Sequence, residues 1–278
     1  MDIRYTQNFL HNPQLVKHIV DLAQLADIVL EIGPGEGIIT RELVKRVKHV
    51  VAVELDAKLA QQLRDIPGVQ VVQGDILQYD LTNLSAGYSV FSNVPFNITS
   101  DLLEYILNPQ TGPQQAHLIL QQDAMLSQNG ETFKSLLIKP LYTLTVAHTF
   151  SRGDFKPQPS VDTALFAFDK RPTPLIASQH YAIYKDFLAF VSKDRVGEGA
   201  WKKLFSKTQL HRLEHLVMGR GLKSQTLEGI LDAFDTFMRL NQDKINIIQG
   251  AMSRLRAEQR RRDMLNQSGG HRRPRKKR

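Results

Sequence analysis

Apolar residues recur along this chain with two periods, and the first 120 residues switch between them repeatedly. Short apolar runs at Ile28 to Ile32, His49 to Val53, Val69 to Gln73 and Tyr88 to Ser92 have the length and β-branched content of buried strands. Segments with apolar positions three or four apart lie between them and predict helices from Ile38 to Val47, from near Ala57, and from Ser100 to Leu107. An earlier helix opens at Asn12-Pro13, an N-cap followed by proline at the first helical position, and Leu15, Ile19, Leu22 and Leu25 keep its spacing. A β-α-β series of this kind predicts a doubly wound, mostly parallel sheet whose strands' carboxyl ends form the ligand-binding edge. Further strands at Ala116 to Gln121, Tyr142 to Phe150 and Thr163 to Phe168 bring the total to seven. Arg171-Pro172-Thr173-Pro174 reads as a linker, and only helical patterns follow: Tyr181 to Lys193, Trp201 to Phe205, Thr208 to Met218, Leu227 to Leu240 and Asp243 to Arg262. The predicted organisation is an α/β domain over residues 1–172, a helical domain over 173–253 and a basic tail over 254–278.

The ligand edge carries candidate chemistry. Val29-Leu30-Glu31-Ile32-Gly33-Pro34-Gly35-Glu36-Gly37 runs from strand into a turn with three glycines, where backbone without Cβ can take positive φ and lie against a ligand. No Gly-Lys-Ser/Thr follows, which excludes a Walker loop, and the third glycine of the dinucleotide pattern would fall on Ile38. Glu54 ends the second strand, where a carboxylate can accept from both hydroxyls of an adenosine ribose; the alternative is a charge at the N-terminus of the helix near Ala57. Asp75, after the third strand, can accept from an exocyclic adenine amine.

The fourth strand delivers Asn93-Val94-Pro95-Phe96. An adenine N6 is a poor nucleophile because its lone pair is delocalised into the ring. Acceptors on the amine hydrogens let it pyramidalise towards a methyl donor, and the Asn93 side-chain oxygen with the Val94 or Pro95 carbonyl are suitable. Proline fixes the turn, and Phe96 offers a stacking face for an extruded base.

Composition narrows the setting. The 278 residues include no cysteine, so disulfides and thiolate zinc sites are excluded. No apolar run is long enough for a membrane span, and the start lacks a signal-peptide core, which predicts a cytoplasmic protein. Net charge is +8, yet eleven Lys/Arg against Glu258 and Asp263 from Arg254 onward give the tail +9 and leave −1 for residues 1–253. Such a tail suits a polyanion, with solubility as the alternative, and Gln267 to Arg278 is expected to be disordered alone.

The set Gln7-Asn8-Phe9-Leu10, Glu31 to Gly37, Val53-Glu54-Leu55-Asp56, Gly74-Asp75-Ile76, Asn93-Val94-Pro95-Phe96 and Phe155-Lys156-Pro157-Gln158-Pro159-Ser160-Val161-Asp162 resembles, in order, the rRNA adenine N6-methyltransferases. That family includes the small-subunit dimethyladenosine transferases and the Erm macrolide-resistance enzymes. The resemblance implies S-adenosylmethionine as cofactor on a Rossmann-like sheet with a small all-α C-terminal domain, and rRNA as partner, without metal or membrane; a monomer is expected. It implies a cofactor site of Gln7, Asn8, Leu10, Gly33, Gly35, Glu54, Leu55, Asp75, Ile76 and Asn93. Catalysis would rest on Asn93, Pro95 and Phe96, with Phe96, Phe155 and Lys156 meeting the target base or RNA. Thr6 before Gln7 and the segment Trp201 to Leu210 are similar to the Erm branch, which acts on large-subunit 23S rRNA; small-subunit 16S rRNA is the alternative.

Residues 193–223 hold eight Lys/Arg against three acids, with Trp201 and Phe205 interleaved, and suit either an RNA backbone contact or a solvated helix face. His211 and His215 share a helical spacing, but no carboxylate or cysteine nearby completes a zinc site, so a surface role is expected. Two other classes compete: a binding factor that has lost activity, against which the Asn-x-Pro-Phe and glycine motifs stand intact, and a nicotinamide oxidoreductase, against which the glycine spacing stands.

Overall fold

The computed structural model describes residues 8–126, 131–192, 198–216 and 226–268. In chain order the elements of the first part are β1 (Phe9–Leu10), α1 (Pro13–Asp21), β2 (Ile28–Ile32), α2 (Thr40–Leu43), β3 (His49–Glu54), α3 (Ala57–Leu63), β4 (Val69–Gln73), β5 (Ser89–Asn93), α4 (Thr99–Ile106), β6 (Gln115–Gln121), α5 (Gln122–Met125), α6 (Phe133–Ile138), β7 (Tyr142–Phe150), β8 (Phe155–Lys156) and β9 (Thr163–Lys170). Helices α7 (Tyr181–Val191), α8 (Gly199–Leu204), α9 (Lys207–Leu216), α10 (Leu227–Leu240), α11 (Ile245–Ile248) and α12 (Ala251–Ser268) follow. By packing, the chain forms two compact units: Met1–Gln128 with Lys134–Ser178, and Asn129–Phe133 with Gln179–Arg278.

The first unit is built on a seven-stranded sheet in the order β4-β3-β2-β5-β6-β9-β7. The first four pairings are parallel, and β9 pairs antiparallel with both β6 and β7. Val29 and Leu30 are fully buried because β2 has a parallel neighbour on each side and helices cover both faces, which is why it reads as one apolar run. Register decides the site. Ile32 lies opposite Val53 on β3 and Ser92 on β5, and Glu54 lies opposite Gln73, so Gly33, Glu54, Gly74 and Asn93 leave the sheet along one edge.

Local signals act as expected at several ends. The Asn12 side chain accepts from the Gln14 and Leu15 N–H groups, and Asp56 caps α3 by accepting from Lys58 and Leu59. The helix expected over Ile38 to Val47 is shorter, Thr40–Leu43, and continues only as turns closed by Arg46 and Val47 N–H donation to the Leu43 carbonyl. The loop after β7 contains β8, which pairs antiparallel with β1, Phe9 opposite Lys156 and Leu10 opposite Phe155.

The second unit is helical around Phe187 of α7. Its ring lies 5.5 Å from Phe234 and from Phe237, 6.1 Å from Trp201 and 6.3 Å from Phe205. Trp201 and Phe205 are therefore core residues, 0% and 3% exposed, and the expected aromatic interleaving of a basic RNA surface is corrected: the rings belong to the interior. The single helix expected over Asp243 to Arg262 is broken at Gly250, whose φ of +73° no L side chain adopts readily. Past that break α12 runs to Ser268, so the basic segment is helical from Arg254 and the disorder expected from Gln267 is corrected for Gln267 and Ser268. Residues 269–278 lie outside the described residues. Among the described residues no helix is long and apolar enough to cross a membrane, and no group of His, Cys, Asp and Glu could hold a metal ion. His211 is exposed on α9, and the His215 side chain lies outside the described residues.

Phe187→Ala should cost about 3–5 kcal/mol, as for other buried aromatic truncations. Trp201 is the sole tryptophan, so urea unfolding followed by its fluorescence reads this unit. A loss well under 1 kcal/mol, against that range, would contradict the central placement of Phe187.

Candidate active site

At the ligand edge the three alternate glycines each take positive φ: Gly33 +62°, Gly35 +59° and Gly37 +79°. The bend they form turns back on itself and is tied to the neighbouring strand. Gly33 N–H donates to the Val53 carbonyl at 3.0 Å, and Gly35 N–H donates to Glu54 Oε2 at 3.0 Å. Glu54 Oε1 accepts from the Asp56 N–H at 2.9 Å, so a carboxylate only 3% exposed is held by one backbone donor on each oxygen. Each oxygen keeps a second lone pair for a ligand. A Cβ on Gly35 would meet the Phe9 ring at 2.7 Å, so the β1 segment also lies close over the bend.

Two contiguous clefts flank this bend. One is lined by Gly33, Glu54, Leu55, Asp75, Ile76 and Pro95 among others. Asp75 Oδ1 accepts from the Leu77 N–H at 2.9 Å, which fixes the carboxylate and leaves Oδ2 available. The other, narrower, is bounded by Asn8, Leu10, Glu31, Gly33, Asn93 and Phe96. Here the Asn93 Nδ2 donates to the Asn8 carbonyl at 2.7 Å. That bond commits the amide nitrogen, so the Oδ1 end is the one left to accept. Pro95's carbonyl accepts from the Ile98 N–H at 3.2 Å and the Thr99 hydroxyl at 3.4 Å, closing the turn. Of the two backbone acceptors expected beside Asn93, the Pro95 oxygen is thus engaged within the turn, while the Val94 oxygen accepts no hydrogen bond among the described residues.

Glu31, on β2 within the glycine motif, also borders the second cleft. It is 1% exposed, and neither carboxylate oxygen has a hydrogen-bond partner. Burial pushes its pKa up to about 8; the nearby Thr40 hydroxyl opposes the rise, and the Glu54 charge adds a smaller push upward. The signal was present in the sequence: a lone acid inside a strand apolar on both faces, two residues before the first glycine.

The expected site residues divide clearly. Asn8, Leu10, Gly33, Asn93, Pro95 and Phe96 line one cleft, and Gly33, Glu54, Leu55, Asp75, Ile76 and Pro95 line the other. Gly35 backs the bend through its bond to Glu54, and Gln7 lies outside the described residues. Phe155 is a correction. Its ring is 1% exposed in the core, edge-on to Phe150 at 5.2 Å, because its β8 position opposite Leu10 turns it inward; it is not presented to a base. Lys156, opposite Phe9, is exposed and bounds neither cleft.

A parallel sheet of this order, with a glycine bend, an acid ending the next strand and an Asn-x-Pro-Phe turn at the strand on the other side, defines a Rossmann-like S-adenosylmethionine-dependent methyltransferase. The family profile described as ribosomal RNA adenine dimethylase matches residues 1–238. A small-subunit rRNA methyltransferase A of Streptococcus equi subsp. zooepidemicus is 33% identical over 68% of this chain and 70% of its own. An rRNA adenine N-6-methyltransferase of Limosilactobacillus reuteri is 25% identical over 87% and 98%. Among solved structures, the 23S rRNA methyltransferase ErmE (TM-score 0.69, 23% identity, 84% of this chain and all of that one) and a dimethyladenosine transferase from Plasmodium falciparum (0.65, 20%, 83% and 98%) share the fold. The chain belongs to the ribosomal RNA adenine dimethylase family and is an S-adenosylmethionine-dependent rRNA adenine methyltransferase.

The site fits that cofactor on its own chemistry. Unpartnered carboxylate oxygens on Glu31 suit an ammonium group, and glycines without Cβ leave the bend open to the cofactor body.

Glu31 also sets a pH dependence for the cofactor-free protein. With a folded value near 8 against an ordinary 4.5, the unfolded chain loses this proton first. Stability therefore falls as pH rises from 4.5 to 8 and levels off above that window. Glu31→Gln should remove this component, so the melting-temperature gap between variant and wild type widens in the variant's favour across the window. A gap independent of pH would contradict it.

Proposed function

We propose that the enzyme transfers methyl to N6 of one adenine in 23S rRNA, with macrolide, lincosamide and streptogramin B resistance as the consequence. The observation that carries the chemistry is the Asn93 amide, whose nitrogen is spent on the Asn8 carbonyl while its oxygen remains to accept. S-adenosylmethionine, when bound, supplies the electrophilic methyl on its sulfonium.

The chain's own residues do the rest. Glu54 is suited to accept from the ribose hydroxyls, Asp75 and Ile76 to hold the adenine of the cofactor, and Glu31 to take its ammonium group. Asn93 Oδ1 and the Val94 carbonyl are the acceptors for the two hydrogens of the target amine. Drawing both hydrogens out of the ring plane gives the nitrogen a usable lone pair; the N–CH3 bond would form as the methyl's bond to sulfur breaks to leave a thioether, and one amine proton would pass to solvent, without a covalent enzyme adduct. Phe96, half-buried at the turn, is suited to stack an everted base.

The 23S assignment is supported by Thr6 and by the Trp201 to Leu210 segment, which are similar to the Erm branch. The higher identity of the small-subunit enzyme over a shorter stretch favours 16S rRNA as the second reading.

Labelled S-adenosylmethionine with purified 23S and 16S rRNA in separate reactions decides between them. Label in N6-methyladenine of 23S alone is expected, and label confined to 16S would reverse the assignment. Asn93→Ala should reduce turnover by several orders of magnitude with cofactor affinity nearly intact, and retention of full activity would remove Asn93 from the chemistry. Phe96→Leu should weaken the productive base complex by about 1–3 kcal/mol, read as kcat/KM for RNA.

A further inference from the structure

Beyond residue 238, where the family match ends, lies a helix that no catalytic argument uses. α12 has 18 residues, roughly 27 Å at the usual helical rise. Its first turn is fastened to α7. Asp186 accepts from the Gly250 N–H through Oδ2 at 2.8 Å and from the Met252 N–H through Oδ1 at 2.9 Å, and Ala251 and Met252 are buried. Past that turn the composition changes. Arg254, Arg260, Arg261 and Arg262 are exposed, and Arg262 pairs with Glu258 at 2.9 Å. Arg254 and Arg261 are seven residues apart, so they share a face about 10 Å apart along the axis, with Arg260 roughly 100° round from Arg261. Five arginines against Glu258 and Asp263 give the helix a charge of +3, in a chain that is −1 over residues 1–253. A third of the tail's +9 is therefore carried on one anchored rod, and six Lys/Arg follow it from Arg272 on.

Guanidinium groups held at fixed spacing suit a phosphodiester backbone, whose charges are themselves regularly spaced. We infer that α12 is an arm that grips the phosphate backbone of the substrate rRNA at defined positions, beyond diffuse attraction to it. The inference rests on the chain acting on rRNA, and it assigns a second RNA contact that adds affinity without reading sequence or touching the chemistry.

The test uses the full chain and two variants, with binding to a 23S rRNA transcript measured across a KCl series. Arg254→Gln/Arg260→Gln/Arg261→Gln should raise the Kd on the order of tenfold near physiological salt and lower the log–log salt slope by about 2. Cofactor affinity and kcat at saturating RNA should not change. Ala257→Pro leaves every charge in place and interrupts the exposed middle of the helix; it should weaken RNA binding to a similar degree. An unchanged Kd and slope in the triple variant would overturn the contact. Loss in the triple variant with Ala257→Pro unaffected would overturn fixed spacing and leave diffuse attraction. Loss of binding to phosphatidylglycerol vesicles with RNA binding intact would assign the arm to a membrane surface instead. If the triple variant behaves as expected while wild-type enzyme methylates neither rRNA, the fault lies with the proposed function and the arm stands.

Discussion

The parallel register of three central strands is the constraint on which the site depends. Because Ile32 stands level with Val53 and Ser92, the residues that follow each strand emerge side by side, and a glycine bend, a buried acid and an asparagine converge from three distant parts of the sequence. A slip of one residue in either pairing would exchange the side chains packed on the two faces of a strand and shift its terminal loop by about 3.3 Å along the edge. The cost of such a slip is borne by the core, so the sheet's apolar packing is what keeps the polar edge aligned.

On that edge the two glutamates play opposite electrostatic parts. Glu54 is buried but has a backbone N–H on each oxygen, and one of them comes from Gly35, so the carboxylate and the bend hold each other in shape. Glu31 is buried with nothing on either oxygen, and its pKa rises accordingly. A native chain that keeps an unsatisfied acid below an open bend is poised for a positively charged partner, which a cofactor with an ammonium group supplies. The β1 segment adds a third tie, since the Asn8 carbonyl orients Asn93 while Phe9 leans on Gly35.

Much of this was legible beforehand, and the failures share a cause. All seven strands of the sheet, the Asn12 cap and the glycine bend announce themselves through local pattern, because burial on both faces, capping and positive φ each demand particular residue types. Glu54, Asp75 and Asn93 were found by their position at strand ends. Phe155 and Trp201 stay open in the sequence because an aromatic side chain in a loop or beside lysines looks the same whether it faces RNA or the core. Only the partners decide it, here Phe150 and Leu10 for one and Phe187 for the other. The break at Gly250 and the continuation of α12 past Arg262 are hidden for a similar reason: the arginine-rich sequence lacks an apolar stripe, and the helix start is capped by Asp186, 64 residues before Gly250. Glu31 was read only as part of a motif, since its lack of a partner is a property of the folded strand.

The central claim is that an everted adenine is held at the tip of β5 with its amine facing the cofactor's methyl. A crystal structure of the chain with S-adenosylmethionine and adenosine tests it most directly. The account predicts adenine N6 within hydrogen-bond distance of Asn93 Oδ1 and the Val94 carbonyl, stacked on Phe96, and about 3–3.5 Å from the methyl carbon. Adenine bound elsewhere, or N6 turned away from Asn93 with the methyl out of line, would contradict it.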